Sequence, residues 1–201
     1  MDYLREALDL ARQGQGQTSP NPAVGAVVVQ DGRIAGRGFH TWAGVKHAEI
    51  LALEQAGPAA RGATFYINLE PCAHTGRTGP CANALIEAGI ARVVAITEDP
   101  NPAVAGRGFA LLRDAGIEVV IDSRLQAEAE ELNMGFFHFM RTGRPLVTLK
   151  SAVTLDGKIA APEDNSGWIT SEAARTHVQT VRHLHDAILS GIGTVAADNP
   201  L

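Results

Sequence analysis

The chain has 201 residues, 45% of them hydrophobic and 19% charged. This globular balance excludes general disorder, and at roughly 150 residues per domain it amounts to about 1.3 domains. A formal net charge of −5 argues against a general nucleic-acid or membrane surface, and no run approaches the roughly 18 consecutive apolar residues of a membrane span.

The first segment, MDYLREALDLARQ, places Leu4, Leu8 and Ala11 on one helical face, with Gly14 as the stop. It lacks the basic start and apolar stretch of a signal peptide, so the expected location is the cytoplasm. A loop through Ser19, Pro20, Asn21 and Pro22 follows. Two apolar runs, 25–30 and 33–38, flank Asp31-Gly32, a strong hairpin signal. From there the pattern alternates. Helices are expected at 47–56, 81–88, 106–115 and 125–140, and strands at 63–69, 92–97 and 118–121. A hairpin followed by alternating helices and strands implies a three-layer α/β domain with a mixed sheet of about five strands.

A boundary is expected near Thr142-Gly143-Arg144-Pro145, which divides the chain into 1–143 and 144–201. The charge is 12 basic against 16 acidic residues before it and 5 against 6 after it, so neither part is basic. Beyond the boundary a strand is expected at 146–152, a turn at Asp156-Gly157, a helix at 171–185 and a strand at 187–190. There is no internal repeat.

Three features carry chemistry. His47-Ala48-Glu49 opens a helix, Pro71-Cys72 follows a strand, and Cys81 opens the next helix after eight intervening residues. Two cysteines cannot build a disulfide framework, and near histidines in a reducing compartment they more often bind metal or do chemistry. One imidazole and two thiolates are ligands that zinc prefers, and a catalytic zinc keeps its fourth position for water. Glu49 discriminates between the uses of such a site. A structural zinc has no need of a carboxylate two residues from its histidine. A hydrolytic site needs a base that takes a proton from water and passes it to a leaving amine. That is the logic of the zinc deaminases, whose cysteines are usually two residues apart. A closed structural zinc with His74 as fourth ligand stays open on this reading.

The segment Leu69-Glu-Pro-Cys-Ala-His-Thr-Gly-Arg-Thr-Gly-Pro-Cys81 resembles the zinc loop of the bifunctional riboflavin-biosynthesis deaminase–reductase family, which has the longer cysteine spacing. Asn21-Pro-Ala-Val-Gly25, Gly38-Phe-His40 and Glu98-Asp-Pro-Asn-Pro-Ala-Val-Ala-Gly-Arg107 are similar to it as well. So are Leu149-Lys-Ser-Ala-Val-Thr-Leu-Asp-Gly-Lys158, Ser166-Gly-Trp-Ile-Thr170 and Asp198-Asn-Pro200 in the second part. The resemblance implies a cytidine-deaminase-like domain over 1–143, then the incomplete start of a dihydrofolate-reductase-like α/β domain over 144–201.

It also implies the substrate, 2,5-diamino-6-ribosylamino-4(3H)-pyrimidinone 5′-phosphate, a small phosphorylated pyrimidine. Its 2-amino group is hydrolysed to give 5-amino-6-(5-phosphoribosylamino)uracil. In the full-length family member the second domain reduces the ribosyl group with NADPH. His47, Cys72 and Cys81 are then the zinc ligands and Glu49 the catalytic proton carrier. Asn21, His40, His74 and Lys150 are substrate-binding candidates on the deaminase side, and Ser166 and Arg182 on the reductase side. Ala152, Trp168, Thr194 and Asp198 are NADPH-side positions. Each has a plainer alternative: a turn residue for Asn21, a strand end for His40, core for Trp168, a cap for Asp198. Arg77 and Arg107 are further anion partners, for which solvated surface is the simpler reading.

The 58 residues from Arg144 are expected neither to bind NADPH well nor to reduce the ribosyl group alone, with Val181, Leu184 and the run from Ile188 to Ile192 left uncovered. The alternatives are a cytidine or tRNA-adenosine deaminase, which the cysteine spacing and the acidic charge oppose, and a structural zinc module, which Glu49 opposes. No nucleic acid and no membrane is expected as partner, and a homo-oligomer is compatible with the sequence.

Overall fold

The computed structural model describes residues 1–41, 46–73, 79–159 and 168–199, apart from the side chains of Ala197 and Asp198. The chain divides into two compact units, Met1–Leu146 and Val147–Leu201.

The first unit opens with helix α1 (Tyr3–Gln13), whose first turn is capped by the Asp2 carboxylate accepting from the Arg5 N–H. Strands β1 (Gly25–Gln30) and β2 (Arg33–Phe39) form the expected hairpin. Asp31 (φ 49°) and Gly32 (φ 72°) both take the left-handed conformation, as the twist of a two-residue hairpin turn requires. Then come α2 (Ala48–Ala56), β3 (Thr64–Leu69), α3 (Cys81–Glu87), β4 (Arg92–Thr97), α4 (Arg107–Asp114) and β5 (Glu118–Ile121). The sheet order is β2-β1-β3-β4-β5. Both pairings of β1 are antiparallel, and β3, β4 and β5 run parallel.

Strand periodicity explains the layers. Successive side chains point to opposite faces, and here both faces are covered. Ala26, Val28, Phe65, Ile67, Val93 and Ala95 pack on one side with Ala48 and Ala52 of α2, Leu85 of α3 and Phe109 and Leu112 of α4. On the other side, Val27 and Val29 meet Ala7 and Leu10 of α1. Val94 and Ile96 pack there with Leu4 and Leu8 of α1, and with Leu125 and Ala129. Each of these leucines and phenylalanines contributes about 1.5–3 kcal/mol by leaving water. The central strands β1, β3 and β4 therefore read as nearly continuous apolar runs, as strands buried on both faces must.

One expected helix is two. The stretch 125–140 forms α5 (Gln126–Leu132) and α6 (Met134–Thr142), separated at Asn133, with φ −110° and ψ 26°. Leu125 itself closes a short 3-10 turn. The apolar period runs through the break, so the pattern concealed it. Asn133 leaves helical geometry because its side chain is used elsewhere, as described below.

The second unit departs further. The helix expected over 171–185 is α7 (Glu172–His183), capped by the Ser171 hydroxyl accepting from the Ala174 N–H. The strands expected at 146–152 and 187–190 do not form; neither stretch carries regular structure, and helix α8 (Ile192–Asp198) follows the second. A strand needs a neighbour to complete its hydrogen bonds, and among the described residues neither stretch has one. Leu149, Leu189 and Ile192 are at least 84% exposed.

Candidate metal centre

Three side chains meet at the ends of α2, β3 and α3. His47 is the N-cap residue of α2, Cys72 lies three residues past β3, and Cys81 is the first residue of α3. Their ligand atoms lie within 4.8 Å of one another. His47 Nδ1 is 3.2 Å from Cys81 Sγ and 3.9 Å from Cys72 Sγ. Zinc bonds of about 2.0–2.3 Å in a tetrahedron set ligand–ligand edges of roughly 3.5–3.8 Å. The spacing and the nitrogen–sulfur donor set thus fit a zinc ion.

Local structure holds each ligand. The Cys81 N–H donates to Cys72 Sγ (3.3 Å), and the Ala82 N–H donates to the Cys72 carbonyl (3.2 Å), so the start of α3 grips Cys72. Helix α2 lies directly against β2 because Gly36 and Gly38 have no side chains. A Cβ at Gly36 would run into the Ala52 carbonyl, and one at Gly38 into the Ala48 carbonyl. That close approach brings His47 and Glu49 over the sheet edge.

The three ligand residues perturb one another's protonation. Hydrogen bonding with Cys81, helped by His47, holds the Cys72 thiol down to about 4. The same pairing, with burial, pushes Cys81 up. The bond to Cys72 raises His47 against the effect of burial. Glu49 is only 4% exposed. Burial raises its pKa, the charge of Cys72 raises it further, and His47 opposes both.

Asn21 and His40 sit beside this centre. Asn21 Nδ2 is 3.2 Å from His40 Nε2, and His40 Nδ1 is 3.4 Å from the Lys46 carbonyl. A neutral ring protonated on Nδ1 satisfies both contacts, and burial lowers the His40 pKa in keeping with that form. The His40 and His47 rings meet edge to face, with centroids 5.3 Å apart.

His74 and Arg77 lie outside the described residues, as does Ser166. Arg107 is exposed at the start of α4. Lys150 and Arg182 belong to the second unit and are exposed, as is Thr194, while Ala152 is half-buried. Trp168 is 79% exposed, with the Arg175 guanidinium 4.7 Å from its ring centroid, so the plainer reading of it as core does not hold. Asp198 ends α8, and its side chain lies outside the description.

Sequence reasoning missed Glu70, which is 3% exposed. Its carboxylate accepts four backbone N–H bonds: from Asp99 (3.2 Å) and Gly106 (2.9 Å) on one oxygen, and from Gly108 (2.8 Å) and Phe109 (3.1 Å) on the other. An acidic side chain at a helix start satisfies unpaired donors and the helix dipole together. Gly108 adds a close contact, since a Cβ there would meet the Pro71 carbonyl. Glu70 and Gly108 thereby tie the Pro71-Cys72 segment to α4. The signal was present as a carboxylate in an otherwise apolar strand end, which must be paired if buried.

Residues 1–97 match the cytidine and deoxycytidylate deaminase zinc-binding region, and residues 145–201 match the RibD C-terminal domain. The riboflavin biosynthesis protein RibD of Bacillus amyloliquefaciens is 54% identical over 198 residues, covering 98% of this chain and 53% of that protein. The chain is thus similar to RibD over nearly its whole length. RibD of Escherichia coli K12 is 52% identical, with 98% of this chain and 54% of that protein covered. Among solved structures, RibD of Acinetobacter baumannii superposes with a TM-score of 0.92 at 49% identity, over 98% of this chain and 55% of that one. A diaminohydroxyphosphoribosylaminopyrimidine deaminase/5-amino-6-(5-phosphoribosylamino)uracil reductase from Thermotoga maritima gives 0.90 at 46% identity, over 98% and 57%. The chain thus spans about half the length of the RibD relatives it matches. No helix among the described residues is long and apolar enough to cross a membrane.

Proposed function

We propose that Met1–Leu146 is the deaminase of riboflavin biosynthesis, hydrolysing the 2-amino group of 2,5-diamino-6-ribosylamino-4(3H)-pyrimidinone 5′-phosphate, and that the second unit belongs to the NADPH-dependent reductase half. The observation that carries this reading is a buried carboxylate, Glu49, two residues from the histidine of a His47/Cys72/Cys81 cluster. Zinc held by these three residues would supply a Lewis acid that makes water nucleophilic near neutral pH.

The chain's own groups do the rest. Glu49 takes the proton from the attacking water and delivers it to the exocyclic nitrogen at C2. The new C–O bond forms, the C–N bond breaks, and ammonia leaves. Asn21, with a donor and an acceptor on one amide, addresses the edge of the ring. The neutral His40 ring holds Asn21 in place and adds a polar contact of its own. His74, in the zinc loop, is assigned to ring or phosphate contact, and Lys150 to the phosphate.

Ser166 and Arg182 on the substrate side, and Ala152, Trp168, Thr194 and Asp198 on the NADPH side, are assigned to the reductase half. The two free cysteines used as ligands are at home in the reducing cytoplasm, where we place the protein. Replacing Glu49 with Gln should retain zinc and lower ammonia release by at least about 100-fold, in the range for loss of a positioned acid–base. Near-normal turnover in that variant would contradict the assignment.

A further inference from the structure

We propose that Asn133, at the break between α5 and α6, is a positioning residue for the substrate side of the site; the inference rests on the reading that Asn21 and His40 grip the pyrimidine. Asn133 is 110 residues from the segment it holds. Its Oδ1 accepts the Ala23 N–H at 2.7 Å, and its Nδ2 donates to the Ala23 carbonyl at 2.9 Å. Asn68, fully buried in β3, donates to the same carbonyl at 3.0 Å and accepts the Gly25 N–H at 2.9 Å. Two side-chain amides therefore close on one stretch of backbone, and all their bonds are buried.

Strand pairing alone does not fix that stretch. Ala23 precedes β1, so its N–H and carbonyl would otherwise be orphaned inside the protein, where an unmade hydrogen bond is expensive. Clamping Ala23 transmits in two directions. Toward the N-terminus lies Pro22, whose ring fixes its own φ, and then Asn21, whose amide meets His40 at 3.2 Å. Toward the C-terminus lies Val24, whose carbonyl accepts the His40 N–H at 2.9 Å. Asn133, seconded by Asn68, thus sets both partners of the Asn21–His40 pair, and His40 in turn stands edge-on to His47. This duty accounts for the local break in the helix. Asn133 adopts φ −110° between two helices, and the carbonyl of its neighbour Leu132 accepts from Gln15 Nε2 at 3.2 Å. The break is pinned from the loop side as well.

The test is steady-state deamination by the full chain, with Asn133→Ser, Asn21→Ala and the double variant, alongside zinc content of each. Action through Asn21 predicts that Asn133→Ser raises KM about tenfold, the effect of one or two net hydrogen bonds. It should change kcat less than about threefold and leave zinc stoichiometry intact. Asn21→Ala should raise KM too, and the rise in the double variant should fall well short of the product of the two single effects, because residues acting through a shared contact are non-additive.

A merely structural role would instead lower kcat and zinc content together, or make the two KM effects multiply in the double variant. Either result overturns the inference while leaving the substrate reading intact. An Asn21→Ala variant with unchanged KM would remove the substrate reading, and the inference with it. If Asn133→Ser does not fold, Asn133→Asp, which keeps the acceptor for the Ala23 N–H, is held to the same outcomes.

Discussion

Glu70 and Glu49 are both buried carboxylates, 3% and 4% exposed, and they do different work. Glu49 sits among the three ligand residues. Glu70 has its two oxygens occupied by four backbone N–H groups and holds the chain that leads into Cys72. Replacing Glu70 with Gln exchanges one acceptor oxygen for a donor facing N–H groups. The fold should lose about 1–3 kcal/mol for the donors left unpaired, and zinc affinity should fall about 10- to 100-fold, as for a lost outer-shell partner. Thermal melting and competition with a chromogenic chelator measure the two effects. A Glu70→Gln protein with wild-type zinc affinity would show that Cys72 is placed without it. The three ligand residues and Glu49 were legible in the sequence because their chemistry is local and their types are few. Glu70 was not, because what makes it matter is a loop and a helix start 29 to 39 residues further on.

At the scale of elements, the alternation of apolar runs and turn signals was enough to place the whole five-stranded sheet. The central strands β1, β3 and β4 are largely buried, and the hairpin turn is marked by Asp31-Gly32. The break at Asn133 and the missing strands of the second unit escaped for opposite reasons. The apolar period of 125–140 passes through the break, while the tertiary clamp that causes it is 110 residues away in sequence. The stretches 146–152 and 187–190 have strand-like composition, but composition cannot supply a pairing partner.

The link between α1 and α5 makes a pH prediction. Glu128 pairs with Arg5 and with Arg12 (3.0 Å), and the bond to Arg5, then that to Arg12, holds its carboxyl down to about 2 from an ordinary 4.5. A lowered folded-state pKa means stability that is fully present above the unfolded value and is lost as pH falls through the folded one. The wild-type melting temperature should therefore drop more steeply than that of Glu128→Gln between about pH 4.5 and 2. The difference should be small, since exposed ion pairs contribute little, and 1 M salt should shrink it further. Parallel acid limbs would show that the pairs do not form in solution.

On the scale of the whole molecule, the composition arithmetic of about 1.3 domains corresponds to one packed unit and a second of different character. Among the described residues, the first holds all the buried apolar side chains. α7 of the second buries none of its residues. A chain ending at Leu146 should therefore keep the melting temperature and the zinc stoichiometry of the longer chain, measured by calorimetry and elemental analysis. A loss of several degrees would show that the first unit depends on the second.

The function proposed rests on His47, Cys72, Cys81 and Glu49 forming a hydrolytic site for the diaminopyrimidinone nucleotide. Ammonia release by the zinc-loaded chain, with that nucleotide and with cytidine side by side, tests it most directly. Release is expected from the nucleotide alone, and is expected to be lost in Glu49→Gln at unchanged zinc content. Release from cytidine at a comparable rate, or from the nucleotide by Glu49→Gln at a near-normal rate, would contradict it.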